Sequence, residues 1–482
     1  MRRAILLSAA LLLALPMAPP GVSAQGLQKT QALAGLSQSD RAAGAAGYKQ
    51  ITAQFGGKVD GPLADYVRTV GLRVALVSVP GSRPQDWTIT VLNSPVPNAM
   101  ATPGGYLYIT RGLLAMINTE AELASVLGHE AGHVAGKHSD KRNNRATLGA
   151  LATMGAAIFG GSNAAQIVNY GSNALVSGYS RGQEDDADTR GMRYSLAAGY
   201  DPRAAASMLQ ALERVSAVEG KAAIERGGVQ SIFSSHPVTA DRIRRVSAQA
   251  AQLPAGGKTN REPYLSAISG MTFGDSTDQG IISGPSFRHA GLNFGFDAPP
   301  GFRLQNSPQA VVGQGPDGSK FQFQGVPAKP GQPLEPMVLQ VWSQVTGGQR
   351  PEVDYNERRF NGFDAGVSGT RLSSNGQAID VGVTAIRGDR DQVYVILTQA
   401  PAGRGPQFDA LLKSFRRLTS AELAAAGRGR RIAVVTVKKG DTVQGFASRM
   451  AAPYNREASF LALNGIANRP LVPGEQLKLI LG

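Results

Sequence analysis

The feature that most constrains this chain is the run His129-Glu130-x-x-His133, inside the segment Leu123 to Lys137. Apolar residues recur around it at helical spacing, and Thr119 followed by Glu122 is typical of a helix start, which together predict an amphipathic helix. Because four residues make slightly more than one turn, both histidines share a face and can present imidazole nitrogens to one Zn²⁺ ion. Glu130 flanks that pair, as expected of a general base that acts on metal-bound water.

The alternative is that both histidines are buried and hydrogen-bonded in the core without binding a metal. His138 lies five residues past His133, so on a continued helix it points well off the face that carries the ligand pair. It is interpreted as a surface histidine or as one that supports a ligand from outside.

A pair of acidic residues follows downstream. Glu184 and Asp188 are four residues apart on a predicted helix and therefore share a face. One can complete a tetrahedral site as the third protein ligand, and the other can orient a ligating histidine. The alternative is a solvated acidic helix start, which the helix dipole favours.

A histidine and an arginine mark the start of a further predicted helix, residues 238–250. His236 precedes Pro237 at the helix entrance, and Arg242 lies less than two turns inside. Either side chain can contact the substrate carbonyl or the oxyanion that forms when water attacks. The alternative is that His236 caps the helix and Arg242 is solvated.

Two short strands are predicted before the metal helix, at residues 87–92 and near the end of residues 98–110, where Gly104-Gly105 forms a turn. An extended peptide can add to such an edge as a further strand, although the glycine pair also fits a simple hairpin turn. The Ala- and Gly-rich residues 146–176 are predicted to form two small-residue helices that pack tightly. The alternative is a mobile or membrane-touching hairpin, which is disfavoured because glycine interrupts the apolar run before it reaches the length of a membrane span.

The N-terminus predicts export. It combines a basic start, an apolar run too short to span a bilayer, and Val22-Ser23-Ala24, which together indicate a cleaved signal peptide over residues 1–24. The chain has no cysteine. That excludes disulfides and thiolate zinc sites and fits an oxidising bacterial periplasm.

The net charge of +14 indicates an anionic neighbour in the envelope, such as lipid head groups or cell-wall polymer, or simply serves solubility. Nucleic acid is disfavoured as a partner by the export signal. No membrane span is expected in the mature chain.

These residues resemble family 48 of the zinc metallopeptidases, which includes HtpX, BepA and the CAAX prenyl proteases. The resemblance covers about residues 48–250 and includes Gly199-Tyr200-Asp201-Pro202. It implies that His129, His133 and Glu184 bind zinc, that Glu130 is the base and that Asp188 supports the site. It also implies that His236 lies near the metal. The tetratricopeptide repeats that follow the protease in BepA-like relatives are not found in this sequence.

Two further domains are predicted beyond a linker at residues 254–263. Residues 264–418 contain strand-like runs, Met337 to Trp342 among them, and a closing helix from Gln407 to Leu418. After a second, flexible linker at residues 427–431, the tail resembles a LysM module through Val435-Thr436-Val437 and Leu471-Val472-Pro473-Gly474. The LysM resemblance implies binding to peptidoglycan.

The sequence therefore predicts a multidomain chain: a mainly α zincin-type (gluzincin) metallopeptidase domain over residues 25–253, an α+β domain over 264–418 and a small β-α-α-β LysM-like domain over 432–482. The leading hypothesis is a periplasmic zinc endopeptidase for misfolded or misassembled envelope proteins. In this hypothesis the zinc ion stabilises the oxyanion, with His236 or Arg242 as candidate partners. The alternatives are a cell-wall-tethered chaperone or assembly factor with a latent or structural zinc site, and an enzyme that cleaves peptidoglycan.

Overall fold

A computed structural model describes residues 36–138, 179–219, 232, 236–348, 352–374, 376–389, 392–452, 455–466 and 469–482. The predicted signal peptide and the two helices predicted within residues 146–176 lie outside these ranges. Among the helices of the described part, none is both long and apolar enough to cross a bilayer.

The N-terminal part of the described chain is built from helices around one small sheet. The helices are α1 (Gln38–Gln54), α2 (Pro62–Ser78), α3 (Arg111–Met116), α4 (Glu120–Ala135), α5 (Arg181–Ala197), α6 (Ala204–Glu219) and α7 (Ala240–Ala251). The strands are β1 (Thr88–Leu92), β2 (Ala99–Thr102) and β3 (Tyr106–Thr110). β3 lies between β1, to which it is parallel, and β2, to which it is antiparallel.

Helix α4 runs through the middle of this part of the molecule. Its residues Glu120 to Val134 are all buried, and it packs against α2, α5 and α6. A helix that is buried all round has no solvated face, so its polar side chains must find partners inside the protein. The two motif histidines therefore lie in the interior.

The middle of the chain forms a mixed domain. After α8 (Arg261–Ile268) come β4 (Thr272–Phe273), β5 (Ile281–Ser283), β6 (Ser286–His289), β7 (Phe294–Asp297), β8 (Arg303–Asn306), β9 (Val311–Gln314), β10 (Lys320–Pro327), α9 (Leu334–Val345), β11 (Asp354–Phe360), β12 (Phe363–Ser374), β13 (Gln377–Arg387), β14 (Gln392–Pro401) and α10 (Asp409–Ser414). Seven strands make one sheet in the order β11-β12-β13-β14-β10-β9-β8, and β5-β6-β7 make another.

Two predictions for this region are wrong. Residues 337–342 lie within helix α9, because Val338, Val341, Trp342 and Val345 are all buried on one helical face. The closing helix is also shorter than predicted, ending at Ser414 instead of Leu418.

The tail follows directly from the mixed domain. It consists of α11 (Ser420–Arg428), β15 (Arg430–Thr436), α12 (Val443–Ser448), α13 (Arg456–Asn464) and β16 (Gln476–Leu481). The flexible linker expected at residues 427–431 is wrong, since these residues end α11 and begin β15. β15 pairs with β16 and with β4, so the tail completes a three-stranded sheet with the preceding domain.

The tail also shares a hydrophobic core with the N-terminal helices. Phe460 and Leu463 of α13 belong to the same buried cluster as Leu212 and Val215 of α6. Lys478 of β16 is fully buried, and its Nζ donates to the carbonyl oxygens of Ala115 and Ile117 at 2.7 and 2.8 Å. Strand β16 is thereby fixed to the loop that leads into α4.

Candidate metal centre

Helix α4 places two imidazoles side by side. Thr119 caps the helix, accepting a hydrogen bond from the Glu122 amide at 3.1 Å. One turn separates His129 from His133, and their Nε2 atoms lie 3.0 Å apart. Two buried imidazole nitrogens this close together on one helix can both coordinate a single metal ion.

Small residues bring α5 against α4. A Cβ added to Gly191 would lie 2.8 Å from the His129 backbone nitrogen, and one added to Gly132 would lie 3.2 Å from the Ala187 carbonyl oxygen. Side chains at these glycines would therefore force the two helices apart. Their close approach is what lets α5 present its carboxylates to the histidines of α4.

The carboxylates of α5 take different positions. Glu184 lies on the inner side of the histidine pair, with its carboxylate oxygens 3.6 Å from His129 Nε2 and 3.6 Å from His133 Nε2. Asp188 lies behind the pair, 2.9 Å from His129 Nδ1. Of the two roles that their spacing left open, Glu184 therefore has the geometry of a ligand and Asp188 that of a group that orients His129.

His236 completes the cluster. Its Nδ1 lies 2.8 Å from Glu184 Oε1 and 3.3 Å from His129 Nε2. The alternative that His236 caps α7 is wrong, because Thr239 takes that place. One donor atom from each of His129, His133, Glu184 and His236 lies within 4.8 Å of the others.

Arg242 is buried against Asp188 and Glu184 and does not face solvent. It is 5% exposed and donates to both carboxylate oxygens of Asp188 at 2.9 and 2.7 Å. Its Nη1 also lies 2.8 Å from Glu184 Oε2. Burial works against a low pKa for Asp188, but His129 and Arg242 outweigh it and hold this pKa well below its ordinary value. The pKa of Glu184 is also lowered, against the effect of burial, by His236 first and then by His129 and Arg242.

The motif glutamate lies next to these groups. Glu130 is 1% exposed, and its Oε1 is 3.5 Å from His236 Nε2. Its Oε2 is buried and has no hydrogen-bond partner among the described residues. Burial raises the pKa of Glu130, against the lowering effect of His236 and His129. Burying a carboxylate oxygen without a hydrogen-bond donor costs free energy, unless a donor binds to it during the reaction.

The donor set fits a metal ion. Burial and the neighbouring histidines lower the pKa of His133 well below its ordinary value, so this ring is neutral and has a lone pair to offer. Three imidazoles and one carboxylate are the nitrogen and oxygen donors found at tetrahedral sites, and here all four are buried.

The sequence interpretation left the place of His138 between two alternatives, of which the structure shows the histidine behind a candidate ligand, and it missed Tyr179. His138 is 3% exposed, and its Nδ1 lies 2.8 Å from His133 Nδ1, so it is not a surface residue. Helix α4 ends at Ala135 and Lys137 adopts φ of 50°, which turns the chain back over the last helical turn. Tyr179 stacks on His133 with ring centroids 3.7 Å apart. Gly136 was the one signal that the helix stops before His138.

Comparison with known proteins agrees with this geometry. Residues 63–250 match the model of Peptidase family M48. Over 205 residues the chain is 31% identical to mitochondrial metalloendopeptidase OMA1 of Schizosaccharomyces pombe, covering 41% of this chain and 57% of the relative.

Two bacterial relatives are also similar to part of this chain. Metalloprotease LoiP of Escherichia coli is 31% identical over 31% of this chain and 57% of its own length. The beta-barrel assembly-enhancing protease of Yersinia pestis is 27% identical over 42% of both chains. The matched region thus spans about half the length of these relatives. The comparisons support the assignment of residues 63–250 to peptidase family M48.

Proposed function

We propose that this chain is a zinc-dependent endopeptidase that hydrolyses peptide bonds of cell-envelope proteins. The observation that carries the proposal is the Glu130 carboxylate, which lies beside the cluster of histidines and Glu184 with one oxygen unpartnered among the described residues. A structural metal site needs only ligands, whereas this site also contains a base.

His129, His133 and Glu184 would hold the metal ion, and His236 lies where a fourth ligand would bind. Zinc suits this set because imidazole and carboxylate are among its preferred ligands and it accepts tetrahedral geometry. When bound, such an ion supplies Lewis acidity toward a water molecule and toward the carbonyl of the peptide bond.

Glu130 moves the proton in this proposal. Its Oε2 takes a proton from the attacking water and later returns it to the leaving nitrogen of the cleaved peptide bond. The carboxylate must be ionised to begin, and its raised pKa makes it a better proton acceptor than a solvated glutamate.

Asp188 and Arg242 hold the other groups in place. The Asp188 carboxylate lies 2.9 Å from His129 Nδ1, which favours the hydrogen on Nδ1 and leaves the Nε2 lone pair for a metal ion. Arg242 contacts both Asp188 and Glu184 and so fixes their relative positions. The oxyanion role considered for Arg242 is less well supported, since its guanidinium is already engaged by carboxylates. His236 is the nearer candidate, because its Nε2 faces Glu130.

Substrates are proposed to bind as an added strand. β2 is an edge strand of its sheet and packs against α4, so a peptide paired to it would pass close to Glu130. Misfolded or misassembled envelope proteins are the proposed substrates. The N-terminal export pattern supports this class of substrate. So does the similarity to the beta-barrel assembly-enhancing protease of Yersinia pestis.

The proposed location is the periplasm, with the tail as a LysM-like module that binds peptidoglycan. Support for the tail comes from its order of elements, strand β15, helices α12 and α13, and strand β16, which is the β-α-α-β plan expected from its sequence. Lipid head groups remain the other anionic surface that the net charge of +14 would favour.

A second candidate function is a chaperone or assembly factor with a latent zinc site. His236 occupies the donor cluster, and the cavity beside it, lined by residues that include Glu130, Met208 and Arg242, is about 20 Å³. That volume admits a water molecule but no peptide. The Ile232 amide also donates to the Pro97 carbonyl oxygen at 2.7 Å, next to the start of β2.

The two candidates are separated by proteolysis. The full-length mature protein would be loaded with zinc and incubated with an unfolded, carboxymethylated protein, with and without a chelator. The proposed endopeptidase cleaves the substrate, the chelator stops cleavage, and zinc restores it. His236→Ala separates the two roles considered for His236. Loss of an oxyanion partner should slow cleavage, whereas loss of a group that keeps the site latent should speed it at least about tenfold, the factor expected if a tenth or less of the wild type is open.

Absence of cleavage by both wild type and His236→Ala, with zinc bound, would contradict the endopeptidase and favour the chaperone. Incubation with purified cell-wall sacculi tests the third possibility. Release of glycan fragments would identify the cell wall itself as the substrate.

A further inference from the structure

The His133 ring nitrogen that faces away from the metal cluster, Nδ1, is hydrogen-bonded to another histidine. His133 Nε2 faces His129 Nε2 at 3.0 Å and Glu184 at 3.6 Å, so Nε2 is the nitrogen available to a metal. A ligating nitrogen carries no hydrogen, so the hydrogen of the neutral ring is on Nδ1. His133 Nδ1 lies 2.8 Å from His138 Nδ1, which must then accept.

This requirement sets the tautomer of the next ring. With Nδ1 as acceptor, the hydrogen of neutral His138 is on Nε2. His138 Nε2 lies 3.1 Å from Asp186 Oδ2, which accepts it. Asp186 Oδ2 also accepts from Arg190 Nε at 2.6 Å. The hydrogen bonds thus run in one direction, from the ring of His133 through His138 to a carboxylate.

The fold holds His138 tightly in this place. Its amide donates to the His133 carbonyl oxygen at 3.0 Å, and its own carbonyl oxygen accepts from Gln183 at 3.1 Å. Gly136 makes room for the ring, because a Cβ at that position would lie 2.5 Å from His138 Nε2. Lys137 makes the turn with φ of 50°, a conformation that non-glycine residues adopt rarely.

The two histidines of the motif are therefore supported differently. His129 has a carboxylate directly behind it, Asp188 at 2.9 Å. His133 has a second imidazole, and only then a carboxylate. A direct carboxylate or carbonyl is the usual partner of a ligating histidine.

We infer that His138 is a positioning residue, whose Nδ1 accepts the His133 Nδ1 hydrogen, fixes the metal-binding tautomer of that ring and is itself oriented by Asp186. This inference rests on the proposed function, since it assigns His138 a role toward the metal. His138 touches neither the metal-facing nitrogens nor the proposed position of the substrate, so it acts only through His133.

The test is the zinc dissociation constant of the full-length mature protein, measured by competition with a chromophoric chelator. His138→Ala should weaken zinc binding about 10- to 100-fold, the usual effect of losing the partner of a ligating histidine. His138→Asn should recover most of the affinity, because an asparagine Oδ1 can accept the same hydrogen. His289→Ala, which removes a histidine that is neither in the cluster nor bonded to it, should leave the constant unchanged.

Asp186 supplies a second arm that is tolerant of substitution, since this side chain is 41% exposed. Asp186→Ala should weaken zinc binding when His138 is present and have no further effect in the His138→Asn background. Thermal unfolding of the metal-free variants checks that they fold, and the visible spectrum of the cobalt-loaded forms reports the ligand geometry. A His138→Ala protein with unaltered cobalt spectrum and zinc affinity would overturn the inference.

His138→Asn binding zinc as weakly as His138→Ala would also overturn it, because the acceptor would then be irrelevant. These failures differ from failure of the proposed function. If the wild type binds zinc and substitution of His138 leaves the affinity unchanged, only this inference is contradicted. If the wild type binds no zinc, both this inference and the proposed function are contradicted.

Discussion

At the scale of single residues, the site consists of buried charged side chains that compensate one another. Arg242 contacts Glu184 and Asp188, and all three side chains are less than a tenth exposed. Removing one member of a buried ion pair leaves an uncompensated charge, which costs more than the pair contributes. Arg242 should therefore matter for stability even without a metal.

Arg242→Gln is expected to lower the free energy of unfolding of the metal-free protein by about 3–5 kcal/mol. Urea unfolding followed by circular dichroism measures it. Arg244→Gln on the same helix is the matched control, because Arg244 is 71% exposed and its ion pair among the described residues is with exposed Asp241. The change should stay within about 0.5 kcal/mol. Equal effects of the two substitutions would show that the buried contacts are unimportant.

Helix periodicity identified the pair His129 and His133 and the pair Glu184 and Asp188, because it fixes which positions share a face. The choice of Glu184 as the ligand, and the place of His236 near the metal, came from the family resemblance instead. The spacing of His129 and His133, and that of Glu184 and Asp188, needs no tertiary information. The place of His138 could not be found this way, because it depends on where α4 ends and on the positive φ of Lys137. Tyr179 was missed for a similar reason, since it precedes α5 outside any regular element.

At the scale of elements, the contact between α4 and α5 decides whether the site exists. The helices approach through Gly128 and Gly132 on one side and Ala187 and Gly191 on the other. The pairs formed among His129, His133 and Glu184 cross this contact or lie along α4. A small outward shift of α5 would move Glu184 away from both histidines.

Gly191→Ala should disturb this contact, since the new Cβ would meet the His129 backbone at 2.8 and 3.0 Å. We expect a loss of about 1–3 kcal/mol in the free energy of unfolding, as for other overpacked cores, together with weaker zinc binding. Chemical unfolding and chelator competition measure the two effects. Gly182→Ala on the same helix is the control, as a Cβ there meets nothing within 4 Å. A Gly191→Ala protein as stable as the control would contradict the close-packing argument.

Helices with clear N-terminal capping residues were predicted well, and short apolar runs were not. The helices that carry the metal motif, Glu184 and Arg242 all have such caps, and the helix that carries Arg242 is also strongly amphipathic. α9 was mistaken for a strand because a run of six mostly apolar residues does not distinguish a buried strand from a buried helix segment.

At the scale of the whole molecule, the tail is attached to the domain that bears the site. Lys478 of β16 reaches the carbonyl oxygens of Ala115 and Ile117, just before α4 begins. The sequence suggested a separate module, because its motifs describe the fold of the tail alone. Which surface of the tail packs on α6 depends on residues distant in sequence, and no local pattern shows it.

Burial holds the pKa of Lys478 well below its ordinary 10.5. Between that lowered pKa and 10.5 the unfolded chain binds more protons than the folded one, so stability rises with pH in this window. The free energy of unfolding of the wild type should therefore increase relative to Lys478→Met as the pH is raised from about 7 to about 10. Urea unfolding at several pH values measures the difference between the two proteins. A difference that is independent of pH would contradict the assigned burial.

The central claim is that Glu130 is the base of a zinc peptidase. The most direct measurement determines, for wild type and Glu130→Gln, the zinc content and the rate of cleavage of an unfolded protein. Glutamine has nearly the same shape but cannot accept the proton, so the account predicts full zinc occupancy with cleavage reduced at least about 100-fold, the lower end of a general base's contribution. A Glu130→Gln protein that retains zinc and cleaves at the wild-type rate would contradict it.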